Sequence, residues 1–260
     1  MPYYEKRTYS GPVLECERYY ATNGGRPVGS RNEQESTPNQ DELNDAQSWR
    51  RLWRLINCNF RKDAGDLCLT LRFKAWVSEQ EAYRQYAAFL RRVKRIRSKR
   101  GLPALKYICV KECQSGWQHA HLILNGGISV EELTEMWGKG TVWASMLKET
   151  HSYKELAKYL TEQHKPRRGS DSPENAKDPR RRNQRRWTGS RNLEKPVVKK
   201  RPCRPVTIHT MPRAPKGYEL MPDFRRDADR FGNLWLRWTC IKTAEDDAAC
   251  TKRKTKRKVE

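Results

Sequence analysis

The chain has 260 residues, with 54 lysines and arginines against 31 aspartates and glutamates, a formal charge of +23 at pH 7. An excess of that size calls for a polyanionic partner, nucleic acid first. No stretch approaches the roughly 18 apolar residues of a spanning helix, and the N-terminus lacks an apolar signal core, so the chain reads as soluble and cytoplasmic with no membrane partner.

Residues 1–41 read as an N-terminal arm, partly disordered. One short strand is expected around Val13 and Leu14, followed by a Gly-, Pro- and Ser-rich loop. Over residues 42–60, Leu43, Ala46, Trp49, Trp53 and Ile56 recur at three- and four-residue steps, predicting a helix with Arg50, Arg51 and Arg54 outward. Residues 67–73 make the first confident strand. Ser78 and Glu81 have the spacing of a capping box and open a helix buried along Ala82, Tyr86, Phe89, Val93 and Ile96. Its other faces are crowded with arginine and lysine, and Gly101 and Pro103 stop it. Strands are expected at 105–112, 118–124 and 141–147, with a capped helix from Ser129 to Trp137 and another over about 152–163. The order strand–helix–strand–strand–helix–strand over residues 42–165 predicts an α+β fold. It is a split βαβ (ferredoxin-like) antiparallel sheet backed by helices and flanked by basic segments. The third strand would lie near the sheet centre, and the helix-free face would be open to a ligand.

Residues 166–200 change character and read as a basic loop and strand. The stretch 166–179 is a solvated loop by composition, but Arg185, Arg186, Trp187 and Arg191 set an aromatic among arginines. Base stacking plus phosphate contact is what single-stranded DNA requires; the alternative is a plain strand edge. Residues 201–245 form a small accessory β segment with a hairpin over 217–241. Residues 246–260 are a disordered basic tail, with six basic residues among the eight from 251 to 258, suited to nonspecific DNA affinity. The eight cysteines contain no Cys-x-x-Cys pair, and they are expected to be reduced.

The chemistry concentrates at residues 112–124. Side chains alternate along a strand, so His119 and His121 share a face, with Ala120 opposite. A two-residue turn at Ser115-Gly116 would place Glu112 across from His119. Two imidazoles and a carboxylate then form a three-ligand set for a divalent cation, with positions left open. A register slip of one residue would bring Cys113 opposite His119 instead, a softer set suited to zinc. In the helix over 152–163, Glu155 and Tyr159 stand four apart on one face. A tyrosine oxygen beside a metal-bound phosphate can attack phosphorus, and a neighbouring carboxylate can activate water.

Leu-x-Leu-Thr-Leu at 67–71, Trp-Gln-His-Ala-His-Leu-Ile-Leu at 117–124 and Glu-Leu-Ala-Lys-Tyr-Leu-Thr at 155–161 resemble, in order and spacing, the three motifs of HUH replication initiators. More narrowly, the chain is similar to the phage gene II-type replication-associated proteins. The segments Leu52-x-x-Leu55-Ile56-Asn57-x-Asn59-Phe60 and Arg185-Arg186-Trp187-x-x-Ser190-Arg191-Asn192-Leu193 also resemble stretches flanking that family's motifs, so the likeness covers residues 43–195. It implies His119 and His121 as ligands of Mg²⁺ or Mn²⁺ with Glu112, Tyr159 as nucleophile and Glu155 in hydrolysis. Lys158, with Arg185, Arg186, Trp187 and Arg191, is read as a DNA contact. The implied function is rolling-circle initiation through a covalent 5′-phosphotyrosine on single-stranded origin DNA. Some relatives carry a second tyrosine three or four residues from the first. Here positions 155 and 156 are Glu and Leu, and Tyr153 is six away on a different face. No Gly-x-x-x-x-Gly-Lys-Ser/Thr occurs, so host helicase and polymerase are the expected partners. A conjugative relaxase or single-strand transposase would use the same chemistry, although relaxases commonly carry the tyrosine ahead of the histidines. A noncatalytic nucleic-acid-binding protein is the alternative of another class.

Overall fold

The computed structural model describes residues 3–21, 38–114, 117–147, 152–162, 187–228 and 232–243. It begins with two strands, β1 (Tyr3–Ser10) and β2 (Val13–Tyr20), paired antiparallel through Ser10 and Val13. One short strand is expected there from sequence; the structure has two, β1 burying Glu5, Thr8 and Ser10 and β2 burying Val13, Leu14, Glu15 and Cys16. Helix α1 (Pro38–Asn59) leads to β3 (Leu67–Arg72), α2 (Glu79–Lys99), β4 (Tyr107–Gln114), β5 (Trp117–Leu124), α3 (Val130–Trp137), β6 (Val142–Met146) and α4 (Lys154–Glu162). Five more strands follow: β7 (Trp187–Gly189), β8 (Val197–Cys203), β9 (Tyr218–Leu220), β10 (Arg225–Ala228) and β11 (Leu234–Lys242). The chain forms two compact units, Leu43–Glu194 and Met1–Glu42 with Lys195–Glu260.

In the unit Leu43–Glu194 the sheet order is β6-β3-β5-β4-β7, antiparallel throughout. The split βαβ plan is thus present, with β5 at the centre as expected. Leu67, Leu69 and Leu71 on β3 and Ala120, Leu122 and Leu124 on β5 share one core with Ala82, Tyr86, Phe89 and Val93 of α2 and Leu133 and Trp137 of α3. The alternate face carries Thr70, Arg72, Glu112, His119 and His121, but also Ile108, Val110 and Ile123, which are fully buried. Apolar residues on that face need cover. Tyr159 of α4 contacts the His121 ring, and the Arg51 guanidinium of α1 lies over Trp187 of β7. This face is therefore partly roofed by α1 and α4, where an open face is expected from the helix count alone.

Helix ends follow local rules. Ser78 accepts a hydrogen bond from the Glu81 backbone, and Ser129 and Glu132 form a complete capping box. Gly101, with φ 65°, lets the chain turn after α2. Arg97 on α2 is buried and donates to the carbonyls of Pro103, Asn125 and Gly126 at 2.7–3.0 Å. Asp66 accepts from the backbone of Arg61 and of Gly126. Together they fix the loop leaving β5. Trp53 Nε1 donates to Ser152 Oγ at 2.8 Å and the Tyr153 backbone donates to Asn57 Oδ1 at 3.1 Å, tying the start of α4 to α1.

The other unit is a six-stranded sheet, β10-β11-β2-β1-β8 with β9 on β11, over a core of Leu14, Cys16, Ile208, Leu236, Trp238 and Cys240. Burial raises the pKa of Glu5 on β1, but hydrogen bonds from Arg18 and Arg201 and the charge of Arg7 outweigh it and hold the carboxyl below its usual range. Pro202 sits on the edge strand β8, where a missing donor is tolerated. Segments that the sequence divides at 41, 166 and 201 thus share one sheet, because strand pairing over such separations leaves no local signature. Residues 22–37, 163–186 and 244–260, with the Ser115-Gly116 turn, lie outside the described residues.

Candidate active site

Pairing of β4 with β5 places Glu112 opposite His119 and Cys113 opposite Gln118. The register is therefore the one that gives the oxygen ligand, not the slipped one that would bring Cys113 to His119. Glu112 Oε2 lies 2.8 Å from His119 Nε2 and 3.2 Å from His121 Nε2, with all three side chains buried. The imidazole rings stand 5.3 Å apart and nearly perpendicular, at 85°. Burial pushes the Glu112 carboxyl up, but hydrogen bonds from His119 and His121 and their charge overcome it and lower the pKa to about 2. An ionised carboxylate only accepts, so both Nε2 atoms point their protons at one oxygen.

The third strand of the site is β3, where Thr70 pairs with His121 and Arg72 with His119. Thr70 Oγ1 lies 3.0 Å from His121 Nδ1. A ligating imidazole must present a bare Nε2 and keep its proton on Nδ1, which then needs an acceptor. The Thr70 hydroxyl supplies one. Two nitrogens and a carboxylate oxygen whose ligand atoms lie within 4.8 Å of one another, with that supporting hydroxyl, could hold a divalent metal ion.

Helix α4 brings Tyr159 to this cluster. Its ring centroid is 6.1 Å from that of His121, and the residue is 55% exposed, so the phenol is open to solvent. Ala157 and Leu160 are buried and set the rotation of the helix that turns Tyr159 outward. Glu155 sits on the exposed side as well, with Oε1 3.3 Å from Lys158 Nζ. Trp187 is half-buried on the edge strand β7, its Cα paired with Val110 and the Arg51 guanidinium 5.8 Å from its ring. Arg191 is exposed in the turn after β7, while Arg185 and Arg186 lie outside the described residues. Sequence reasoning overlooked Thr70, although alternation against Leu69 and Leu71 put it on the site face.

Fold and site together define a split βαβ domain with a Glu-His-His cluster able to hold a metal ion, next to an exposed tyrosine. Residues 66–164 match the model of the Replication-associated protein ORF2/G2P family. The matched span holds Thr70, Glu112, His119, His121, Glu155 and Tyr159. It supports a replication-associated role, and with it DNA binding. No curated protein and no solved structure matches the chain. Among the described residues, no helix is long and apolar enough to cross a membrane.

Proposed function

We propose that this protein initiates rolling-circle replication by nicking and rejoining single-stranded origin DNA through Tyr159. The observation that carries this reading is the 6.1 Å approach of the Tyr159 ring to His121 within the Glu112-His119-His121 cluster. Glu112, His119 and His121 would hold Mg²⁺ or Mn²⁺, which would polarise the phosphate and offset the weak nucleophilicity of a phenol. Tyr159 Oη attacks phosphorus, the bond to the 3′-oxygen breaks, and a 5′-phosphotyrosine forms. The phenolic proton lost to solvent is balanced by the proton gained on the leaving 3′-hydroxyl. Rejoining is the reverse attack by a 3′-hydroxyl. Glu155, one helical turn from Tyr159, takes a proton from the water that hydrolyses the phosphotyrosine when rejoining does not occur. Lys158, Trp187 and Arg191, with Arg185 and Arg186, hold the strand, and host helicase and polymerase supply unwinding and synthesis.

The test is a covalent protein–DNA adduct on denaturing gels after incubation with single-stranded oligonucleotides and Mn²⁺. The wild type should form an adduct mapped to Tyr159, and chelation should abolish it. Tyr159→Phe should form none while binding DNA within a few-fold, and His121→Ala should lose both adduct and Mn²⁺ uptake. DNA binding without any adduct from the wild type would leave a noncatalytic binding protein and refute the nickase.

A further inference from the structure

The site face extends beyond the cluster. Thr70 pairs on one side with His121 and on the other with Trp143, so Trp143 stands two strands from His121. That is roughly 10 Å across the sheet. Its neighbours Val142 and Ala144 pack on the leucine core, which leaves the Trp143 indole on the opposite face, 52% exposed. The fold gains little from an indole held in water. The Arg72 guanidinium lies over this ring, 4.3 Å from its centroid. Arg72 is itself exposed, sits beside His119 in the register and makes no ion pair among the described residues. Trp187 and Arg51 form a second such pair on the other flank, Trp187 being the Cα partner of Val110, which in turn pairs with His121. Two tryptophan–arginine pairs therefore bracket Glu112, His119 and His121 along one line across the strands.

We propose, on the reading of single-stranded DNA as substrate, that Trp143 and Arg72 form a nucleotide subsite beside the scissile phosphate. An unpaired base stacks on the Trp143 indole, and the Arg72 guanidinium takes the adjoining phosphate. With Trp187 and Arg51 gripping the opposite flank, the strand lies across the sheet and its intervening phosphate is presented to Tyr159. Stacking accepts any base, so the subsite selects for unpaired DNA rather than for sequence. A duplex keeps its base faces covered and gains only the phosphate contact.

The experiment is fluorescence anisotropy of the full chain with a labelled single-stranded oligonucleotide and with its duplex, in chelator so that no strand is cut. Trp143→Ala should weaken single-strand binding about tenfold, Trp143→Phe should stay within about threefold, and duplex binding should move by less than about twofold in either. Trp143→Ala that binds the single strand like wild type, or that loses single strand and duplex equally, overturns the subsite. Mn²⁺ calorimetry on the same proteins keeps the two readings apart. Trp143→Ala should bind Mn²⁺ as wild type does, and loss of Mn²⁺ binding in that variant would make Trp143 a structural support of the cluster. A wild type that takes up no Mn²⁺ refutes the metal-dependent nickase, while the comparison between single strand and duplex still decides the subsite.

Discussion

Thr70→Val removes one oxygen from the wall of the candidate site and keeps the shape of the side chain. Without a cation, a neutral His121 ring that donates from Nε2 to Glu112 accepts at Nδ1 from the Thr70 hydroxyl, 3.0 Å away. With a cation, Nε2 gives up its proton, Nδ1 becomes the donor and the same hydroxyl accepts. One group thus serves both tautomers, and valine serves neither. Losing such a supporting partner costs about 10–100-fold in metal affinity, or about 1.4–2.7 kcal/mol. The metal-free fold should lose about 1 kcal/mol, the value of one hydrogen bond to a buried nitrogen. Titration calorimetry with Mn²⁺ on wild type, Thr70→Val and Thr70→Ser measures the first quantity, and urea unfolding the second. Thr70→Ser, which retains the hydroxyl, should recover most of the affinity. Equal Mn²⁺ affinity in all three proteins would show that His121 does not bind through Nε2 with Thr70 behind it.

Glu155→Gln should still form the Tyr159 adduct but hydrolyse it about 10²–10⁴-fold more slowly, followed as adduct decay under single turnover. Equal decay rates would reduce Glu155 to the solvated partner of Lys158 seen at 3.3 Å. Gly126→Ala should destabilise the fold by about 1–3 kcal/mol in urea unfolding, since backbone must shift to admit the methyl group. A Cβ there would meet the Gly65 carbonyl oxygen at 2.5 Å and that of Ala64 at 2.7 Å. An unchanged unfolding midpoint would mean that the loop moves freely and that the Arg97 and Asp66 contacts do not fix it.

Much of the central unit was legible because its signals are local. The apolar alternation of Leu67, Leu69 and Leu71, the caps at Ser78 and Ser129 and the short spacing that sets Glu112 against His119 each act over a few residues. Where pairing joins distant segments the sequence falls silent. The split βαβ plan sets β3 between β5 and β6, but which side chains meet across them, Thr70 with His121 and Trp143 and Arg72 with His119, emerges only from the register. The cover provided by α1 and α4 was not read from the sequence, although Ile108, Val110 and Ile123 on the face expected to be open are apolar and prove to be buried. The pairing of β1 and β2 with β8 and β11 is the same case at greater separation.

All three residues of the candidate cation site lie on the paired strands β4 and β5, whereas Tyr159 comes from a later helix docked through Trp53–Ser152 and Asn57–Tyr153. Short-range contacts form sooner than long-range ones, and a hairpin closes in about 1–10 μs. During synthesis Glu112, His119 and His121 are therefore made, and can pair, before α4 exists. On the proposed reading, a chain that lost α4 alone would keep Glu112, His119 and His121 and lose Tyr159, and so would bind the ion without cutting.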